Sequence, residues 1–363
     1  MDRRNSRCVI GGLLSSGWNF ELFKSAIPGS NREPTGPKRL ELTEPQKLRN
    51  RAAHNASGTV IEVEDLHKDY GDIAAVDGIT FSVDPGETYG LLGPNGAGKT
   101  TTMRMLVGLS PATTGTIAVA GINVIKDNRA VRELTGVVTQ HDGLDGELTV
   151  FQNLFLYGFL AGLSRARAKE RAHEVLEFFG LRDRSKANVY EFSGGMKRRL
   201  AIARSMMTSP SVIVMDEPTT GLDPQSRNRV WEELAELKDA GVTVLLSTHY
   251  MEEATILCDR LSIMDHGKIL DEGTPDQMIE RHAPPEVAQL RVAPAALRNV
   301  REYLTGRNIT FREVGALVSV TGANGDRPDL SGLAGEEGVR TSYRAGNLED
   351  VFLAITGREL RDG

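Results

Sequence analysis

Residues 93–100, GPNGAGKT, combine glycines with a lysine and a threonine at a spacing suited to binding a phosphate chain. In the pattern G-x-x-x-x-G-K-[ST], the glycines let backbone N–H groups surround the β-phosphate, Lys99 neutralises phosphate oxygens, and Thr100 offers a hydroxyl to magnesium. The strand-like TYGLL before the loop and the helical TTMRMLVGL after it provide the required context. The predicted nucleotide-binding residues here are Gly93, Pro94, Asn95, Gly96, Ala97, Gly98, Lys99, Thr100 and Thr101.

Two adjacent carboxylates, Asp216 and Glu217, follow the apolar stretch SVIVM. A strand ending in this pair suits a Walker B site, in which Asp216 holds magnesium through water and Glu217 polarises an attacking water as general base. By itself, an apolar strand ending in Asp-Glu is common at any strand-to-loop exit. Paired with the glycine loop, it indicates a Mg²⁺-dependent nucleotide site.

The stretch EFSGGM contains a second set of residues suited to an anion. Ser193 can cap a helix, Gly194 and Gly195 let a ligand approach the backbone, and the helix start adds roughly half a positive charge. One nucleotide has no need of two such cradles about a hundred residues apart. The glycine loop itself occurs once in the chain.

The surrounding pattern predicts an α/β fold. TVIEVEDLHKDY alternates like a strand, and ITFSVDPGETYGLLG reads as two strands joined by a turn. Further strands are predicted at GTIAVAG, TGVVTQ, SVIVMDEP, GVTVLLSTH and RLSIMDHGKIL. Between Val150 and Thr208 the apolar spacing is helical instead. The nucleotide-binding elements therefore carry a helical insert.

Composition shifts divide the chain into three predicted parts. Residues 1–57 are expected to be a disordered leader or the product of a misassigned start codon. Residues 58–282 form the nucleotide-binding domain, with the helical insert at about 141–208. Residues 283–363 form a small C-terminal accessory domain of mixed α/β character, ending in the helix-like NLEDVFLAITGREL.

Charge, cysteine content and hydropathy exclude several classes of protein. Lys and Arg number 43 against 49 Asp and Glu, a net charge of −6, which argues against a nucleic-acid partner. Cys8 and Cys258 lack metal-ligand spacing and are expected to be reduced thiols. No apolar run approaches the roughly 18 residues that a membrane helix requires. Lys197, Arg198 and Arg199 are interpreted as a solvated helix face.

The stretches GPNGAGKT, FSGGM, VIVMDEP and STH, in this order and spacing, resemble the nucleotide-binding subunit of an ATP-binding cassette (ABC) transporter. The resemblance implies a P-loop NTPase of the ABC ATPase type, with a RecA-like core, an antiparallel β subdomain and an α-helical insert. It also implies ATP and Mg²⁺ as ligands. It covers about residues 60–357, most of the chain.

The resemblance also assigns roles to single residues. Tyr70 is expected to stack on adenine, although it could be an ordinary, partly buried tyrosine. Gln140 would reach magnesium and the attacking water, and His249 would contact the γ-phosphate, although histidines at strand ends are often structural. Asp223 would belong to the D-loop and, with Pro224 after it, would also cap a helix.

In the cassette fold, the signature helix of one chain caps the nucleotide held by the glycine loop of a second chain. The resemblance therefore explains the two cradles and implies a second ATPase subunit, expected to be a copy of this chain or a relative. FSGGM departs from the commonest signature, LSGGQ, at Phe192 and Met196, and Ser193, Gly194 and Gly195 are intact.

The phrases DEPTTGLDPQSRNRVWEEL and LEDVFLAITGREL resemble ATPase subunits of ABC-2 type exporters of the daunorubicin-resistance and nodulation-factor export kind. This implies a separate transmembrane permease, docked near 141–158, and a place at the cytoplasmic face of the plasma membrane. The exported compound would be hydrophobic, lipid or glycolipid-like. The alternatives are an importer subunit or a non-transport ABC ATPase, but the zinc-finger cysteines or long coiled coil of a repair ATPase and the tandem cassettes of a translation factor are missing.

Overall fold

The computed structural model describes residues 58–322, 328–333 and 335–357. The predicted leader over 1–57, with Cys8, and the last six residues of the chain lie outside the described residues. The strands are β1 (Ile61–Tyr70), β2 (Ile73–Val83), β3 (Thr88–Leu92), β4 (Thr114–Val119), β5 (Ile122–Asn123), β6 (Thr135–Val138), β7 (Val212–Asp216), β8 (Thr243–Thr248), β9 (Arg260–Asp265), β10 (Lys268–Gly273), β11 (Glu286–Val292), β12 (Thr310–Val314), β13 (Leu317–Thr321) and β14 (Val339–Ala345).

Ten α-helices are described over the same ranges. They are α1 (Lys99–Leu106), α2 (Asn128–Leu134), α3 (Val150–Leu160), α4 (Arg165–Phe178), α5 (Gly194–Ser205), α6 (Pro224–Asp239), α7 (Met251–Leu257), α8 (Pro275–His282), α9 (Leu297–Gly306) and α10 (Leu348–Thr356). Every strand predicted between residues 59 and 270 is present, and the predicted α/β class is confirmed.

A six-stranded sheet forms the centre of the molecule, with the order β10-β9-β3-β8-β7-β6. All its pairings are parallel except that of β9 with β10. β3 and β8 are buried along their whole length, as expected of parallel strands covered on both faces. Because β3, β7 and β8 are neighbours running in one direction, the loops at their carboxyl ends meet at one edge of the sheet.

The stretch RLSIMDHGKIL, predicted to be β structure, forms the two strands β9 and β10. His266 and Gly267 both adopt positive φ values, 46° and 77°, and the chain reverses there to pair β9 with β10. Asn, Asp and His tolerate the left-handed region better than most residues other than glycine, which is why His-Gly serves as the turn.

The antiparallel subdomain and the helical insert flank this sheet. The subdomain has the strand order β2-β1-β4-β5. The insert consists of α3, α4 and α5, and its first two helices begin at side-chain caps from Thr149 and Ser164. Phe151 and Leu200 of the insert share one core with Ile213 and Leu246 of the central sheet. The helical insert predicted between Val150 and Thr208 is present, and it shares a core with β7 and β8 of the central sheet.

The C-terminal region forms a four-stranded sheet, β12-β13-β11-β14, packed with α9 around its own core. The last helix, α10, does not belong to that core. Its buried residues Leu348, Val351 and Phe352 pack into the core shared by the central sheet and the helical insert, together with Met278 of α8. The chain therefore leaves the nucleotide-binding region after α8 and returns to it through α10.

Replacing Phe352 with alanine should consequently destabilise the nucleotide-binding core. Phe352 is 1% exposed, and removing a buried phenylalanine ring typically costs about 3–5 kcal/mol because it leaves a cavity. We expect that decrease in the free energy of unfolding in urea, followed by circular dichroism. Tyr343→Ala, at an exposed position of β14, is the control and should change it by less than about 0.5 kcal/mol. Equal effects of the two substitutions would contradict this role of α10.

Candidate functional site

The glycine loop joins β3 to α1, and its glycines meet two different requirements. A Cβ on Gly93 would lie 2.2 Å from the carbonyl oxygen of Met264, and one on Gly98 would lie 2.5 Å from that of Ala75. Gly96 instead faces open space, and its φ of 83° is one that other residues rarely adopt. The loop therefore requires glycine at 93 and 98 because other backbone segments pack closely there. It requires glycine at 96 for the backbone conformation on its open side, where N–H groups can surround a phosphate.

Lys99, the first residue of α1, is only 4% exposed. Its Nζ donates hydrogen bonds to the carbonyl oxygens of Gly93 (2.8 Å) and Pro94 (3.0 Å) and lies 3.7 Å from Oε1 of Glu217. Burial lowers the pKa of Lys99, while the charges of Glu217 and Asp216 oppose that shift. The loop's own carbonyls and the facing carboxylates thus hold the ammonium group beside the loop.

Thr100 and Asp216 lie together at the edge of the sheet. Oγ1 of Thr100 donates to Oδ1 of Asp216 at 3.1 Å, and Oγ of Ser247 donates to the same oxygen at 2.6 Å. The register of β7 against β8 places Asp216 opposite Ser247. Hydroxyl and carboxylate oxygens are the ligand types that Mg²⁺ prefers, so the donor set here fits that ion.

Glu217 is the centre of the cluster and is 8% exposed. Its Oε1 lies 3.3 Å from Nδ1 of His249, and its Oε2 accepts hydrogen bonds from Thr220 Oγ1 (3.1 Å) and Gln140 Nε2 (3.5 Å). The neighbouring His249 is the main factor that lowers the pKa of Glu217, and Lys99 acts in the same direction against the opposing effect of burial. Glu217 is therefore an ionised carboxylate at neutral pH.

The backbone of Glu217 is strained. Its φ is 48°, in the left-handed region that a residue with a large side chain rarely occupies. Its N–H points to Ser247, whose carbonyl oxygen and Oγ lie at 3.1 and 3.0 Å. Strain of this kind costs of order 1–3 kcal/mol and persists where surrounding contacts enforce it, commonly at functional sites.

The predicted signature residues lie at the start of α5, apart from this cluster. Ser193 caps the helix by accepting from Met196 N (3.3 Å), and both Ser193 and Gly194 are exposed. Gly195 is buried, and a Cβ on it would lie 2.3 Å from Oγ of Ser226 at the start of α6. In the predicted second cradle, Ser193 and Gly194 are thus exposed, whereas Gly195 packs against α6.

Asp223 and Tyr70 also lie outside the carboxylate cluster. Asp223 caps α6 as predicted, accepting from the N–H of Ser226 at 3.0 Å and from its hydroxyl at 2.6 Å, with Pro224 as the first helical residue. Tyr70, at the end of β1, is 50% exposed. Its ring lies 4.8 Å from Lys68 Nζ, and its hydroxyl lies 3.5 Å from Ser110. An exposed ring at this place is available for stacking.

Sequence reasoning missed three residues around Glu217, namely Ser247, Thr220 and Arg198. Ser247 and Thr220 stood within quoted motifs, and a parallel pairing of VIVMD with TVLLST would have indicated Ser247. The interpretation of Lys197–Arg199 as a solvated face is wrong for Arg198 and Arg199. Arg198 is 4% exposed, and Arg199 reaches the buried Glu233 at 2.5 Å, because this side of α5 faces the protein interior.

Comparison with known proteins identifies this arrangement. Residues 76–220 match the sequence profile of a family described as ABC transporter. The chain is similar to the Nod factor export ATP-binding protein I of Cupriavidus metallidurans, 42% identical over 312 residues that cover 84% of this chain and 99% of that protein. The protein of the same description from Paraburkholderia xenovorans is also 42% identical over 312 residues, covering 83% of this chain and 98% of that protein.

Solved structures to which this chain is similar are also ATP-binding cassettes. A structure of the ATP-binding subunit of an ABC transporter is 33% identical, with a TM-score of 0.56, and covers 61% of this chain and 93% of that chain. A dimeric cassette in a post-hydrolysis state, bound to ADP and Pi, is 25% identical with a TM-score of 0.54, covering 59% and 98%. Among the described residues, no helix is both long enough and apolar enough to cross a membrane. The chain belongs to the ABC transporter family as one of its ATP-binding proteins, which bind and hydrolyse ATP.

Proposed function

We propose that this chain powers the export of a hydrophobic, lipid or glycolipid-like compound through a separate ABC-2 type permease. The observation that carries the proposal is the similarity to Nod factor export ATP-binding proteins over nearly their whole length. That similarity extends well beyond the nucleotide motifs shared by all cassettes. In this proposal the chain lies at the cytoplasmic face of the plasma membrane, held there by the permease.

Hydrolysis in this proposal depends on the cluster at the carboxyl ends of β7 and β8. Glu217 acts as general base, because it is ionised and already contacts the predicted switch residue His249 and the predicted Q-loop residue Gln140. Thr100, Asp216 and Gln140 would hold Mg²⁺, which when bound neutralises charge on the transferring phosphoryl group. Lys99 would exchange its loop carbonyls for phosphate oxygens.

Two chains together would complete each nucleotide site. Ser193 and Gly194 are exposed at the start of α5, and Gly195 is buried against Ser226. These signature residues would cap the ATP on the loop of a second subunit, and a solved cassette to which this chain is similar is a dimer bound to ADP and Pi. We propose a homodimer, with Asp223 near the subunit boundary and Tyr70 stacked on adenine.

An importer subunit is the second candidate, and transport direction separates the two. We expect inverted membrane vesicles containing this chain and its cognate permease to accumulate a fluorescent glycolipid inside when given external MgATP. ATP-driven movement of the compound out of such vesicles would indicate import instead. Vesicles carrying Glu217→Gln are the matched control and should remain inactive.

A further inference from the structure

Arg198 donates hydrogen bonds to four backbone carbonyls of the candidate site, yet it belongs to none of the predicted motifs. It lies on α5, five residues after Ser193, and its guanidinium group is directed inward. Its Nε donates to the carbonyl oxygen of Pro218 at 2.6 Å. Its Nη2 donates to those of Asp216 and Glu217, both at 3.1 Å.

The remaining nitrogen connects to the segment that carries Gln140. Nη1 donates to the carbonyl oxygen of Thr139 at 2.6 Å and lies 3.5 Å from Oδ1 of Asp142. A guanidinium group has five N–H donors in a fixed planar arrangement, and here it makes four hydrogen bonds and one ion pair. Four of the acceptors are backbone carbonyls, so Arg198 fixes the course of the backbone rather than recognising a side chain.

The backbone that Arg198 holds includes the strained residue. Glu217 has a φ of 48°, and its peptide groups are fixed by Ser247 on the N–H side and by Arg198 on the carbonyl side. Because the direction of the Glu217 carboxylate depends on this backbone conformation, loss of the arginine contacts should release the carboxylate from its place. Lysine cannot substitute, since a single ammonium group has three donors at one point and cannot span four carbonyls.

We propose that Arg198 is a positioning residue that holds Glu217 and the Gln140 loop against the signature helix. The inference rests on the proposed function, in which Glu217 is the base for the chain's own nucleotide and Ser193–Gly195 contact the nucleotide of a second subunit. Arg198 then links two nucleotide sites. It lies on α5, which faces the nucleotide of the second subunit, and it holds Glu217, which acts on the chain's own nucleotide. The position of Glu217 in one nucleotide site thus depends on α5, the helix that contacts the nucleotide of the other site.

The test is a double-mutant cycle in the full chain with the variants Arg198→Lys, Glu217→Gln and both together. A misplacement of about 1 Å can reduce turnover of the order of 10²-fold. We therefore expect Arg198→Lys to lower kcat by about 10²-fold while the Kd for AMP-PNP with Mg²⁺ changes less than about twofold. In the Glu217→Gln background, the same substitution should reduce the residual rate less than about twofold, because it acts through Glu217.

Arg171→Lys provides the structural control. Arg171 is 2% exposed in α4 of the same helical insert, and it donates to the carbonyl oxygen of Met206 at 2.9 Å and to Glu174 at 2.8 Å. We expect it to lower the melting temperature as Arg198→Lys does, with kcat unchanged. All rates are measured well below each melting temperature, and Arg198→Gln is used if Arg198→Lys does not fold.

The outcomes separate this inference from the proposal on which it rests. Full activity of Glu217→Gln would overturn the base role. With Glu217→Gln inactive, the positioning role is overturned if Arg198→Lys weakens nucleotide binding as much as turnover, or if it lowers the residual rate of Glu217→Gln by a further factor of ten or more. It is also overturned if kcat of Arg198→Lys equals that of the unmodified chain.

Discussion

Glu217→Gln should retain ATP binding while kcat falls by about 10²–10⁴-fold, the usual contribution of a positioned general base. The amide has nearly the same shape and keeps an oxygen that can accept from Thr220, so the pocket should persist. It lacks the ionised oxygen that would take a proton from water. The measurement is ATP turnover together with equilibrium binding of MgATP.

Lys99→Ala is the comparison that separates chemistry from binding. Lys99 lies 3.7 Å from Glu217 and is buried beside the loop carbonyls. Its replacement removes the ammonium group that is proposed to bind phosphate oxygens. We expect both the affinity for ATP and the rate to fall. An equal loss of affinity in Glu217→Gln and Lys99→Ala would contradict the distinct roles proposed for these two residues.

The second large effect concerns the shared nucleotide sites. Neither Lys99→Ala nor Gly194→Asp alone should form an ATP-dependent dimer, because each lesion falls in both sites of a homodimer. In a mixture of the two, a heterodimer carries both lesions in one site and leaves the other intact. ATP-dependent dimerisation should therefore partly return, and size-exclusion chromatography in a Glu217→Gln background would detect it without hydrolysis.

The structure makes Gly194 the right position for this test. The nearest atom to an added Cβ there is Cδ2 of Leu222, at 4.0 Å, so aspartate fits without disturbing the fold. The same substitution at Gly195 would collide with Ser226 and confuse loss of binding with misfolding. The proposal of shared sites would be wrong if Gly194→Asp kept full ATPase activity in a particle that stays monomeric during turnover.

Several features followed from the sequence because their causes are local. The apolar runs at β3, β7 and β8, the glycine loop between a strand and a helix, and the Asp223-Pro224 start of α6 depend on neighbouring residues only. Periodicity and capping are properties of such short segments. The order of the motifs then led to the family.

Tertiary structure alone decided the contacts made across long separations in the chain. Arg198 looked like part of a basic surface, since no local pattern records that Thr139, 59 residues earlier, offers its carbonyl oxygen. The same holds for Phe352, which packs into the ATPase core rather than beside the C-terminal sheet. Whether a helix face is buried depends on the elements that pack against it. Every residue carries a backbone carbonyl, so the sequence does not indicate which carbonyls will accept a hydrogen bond from a given side chain.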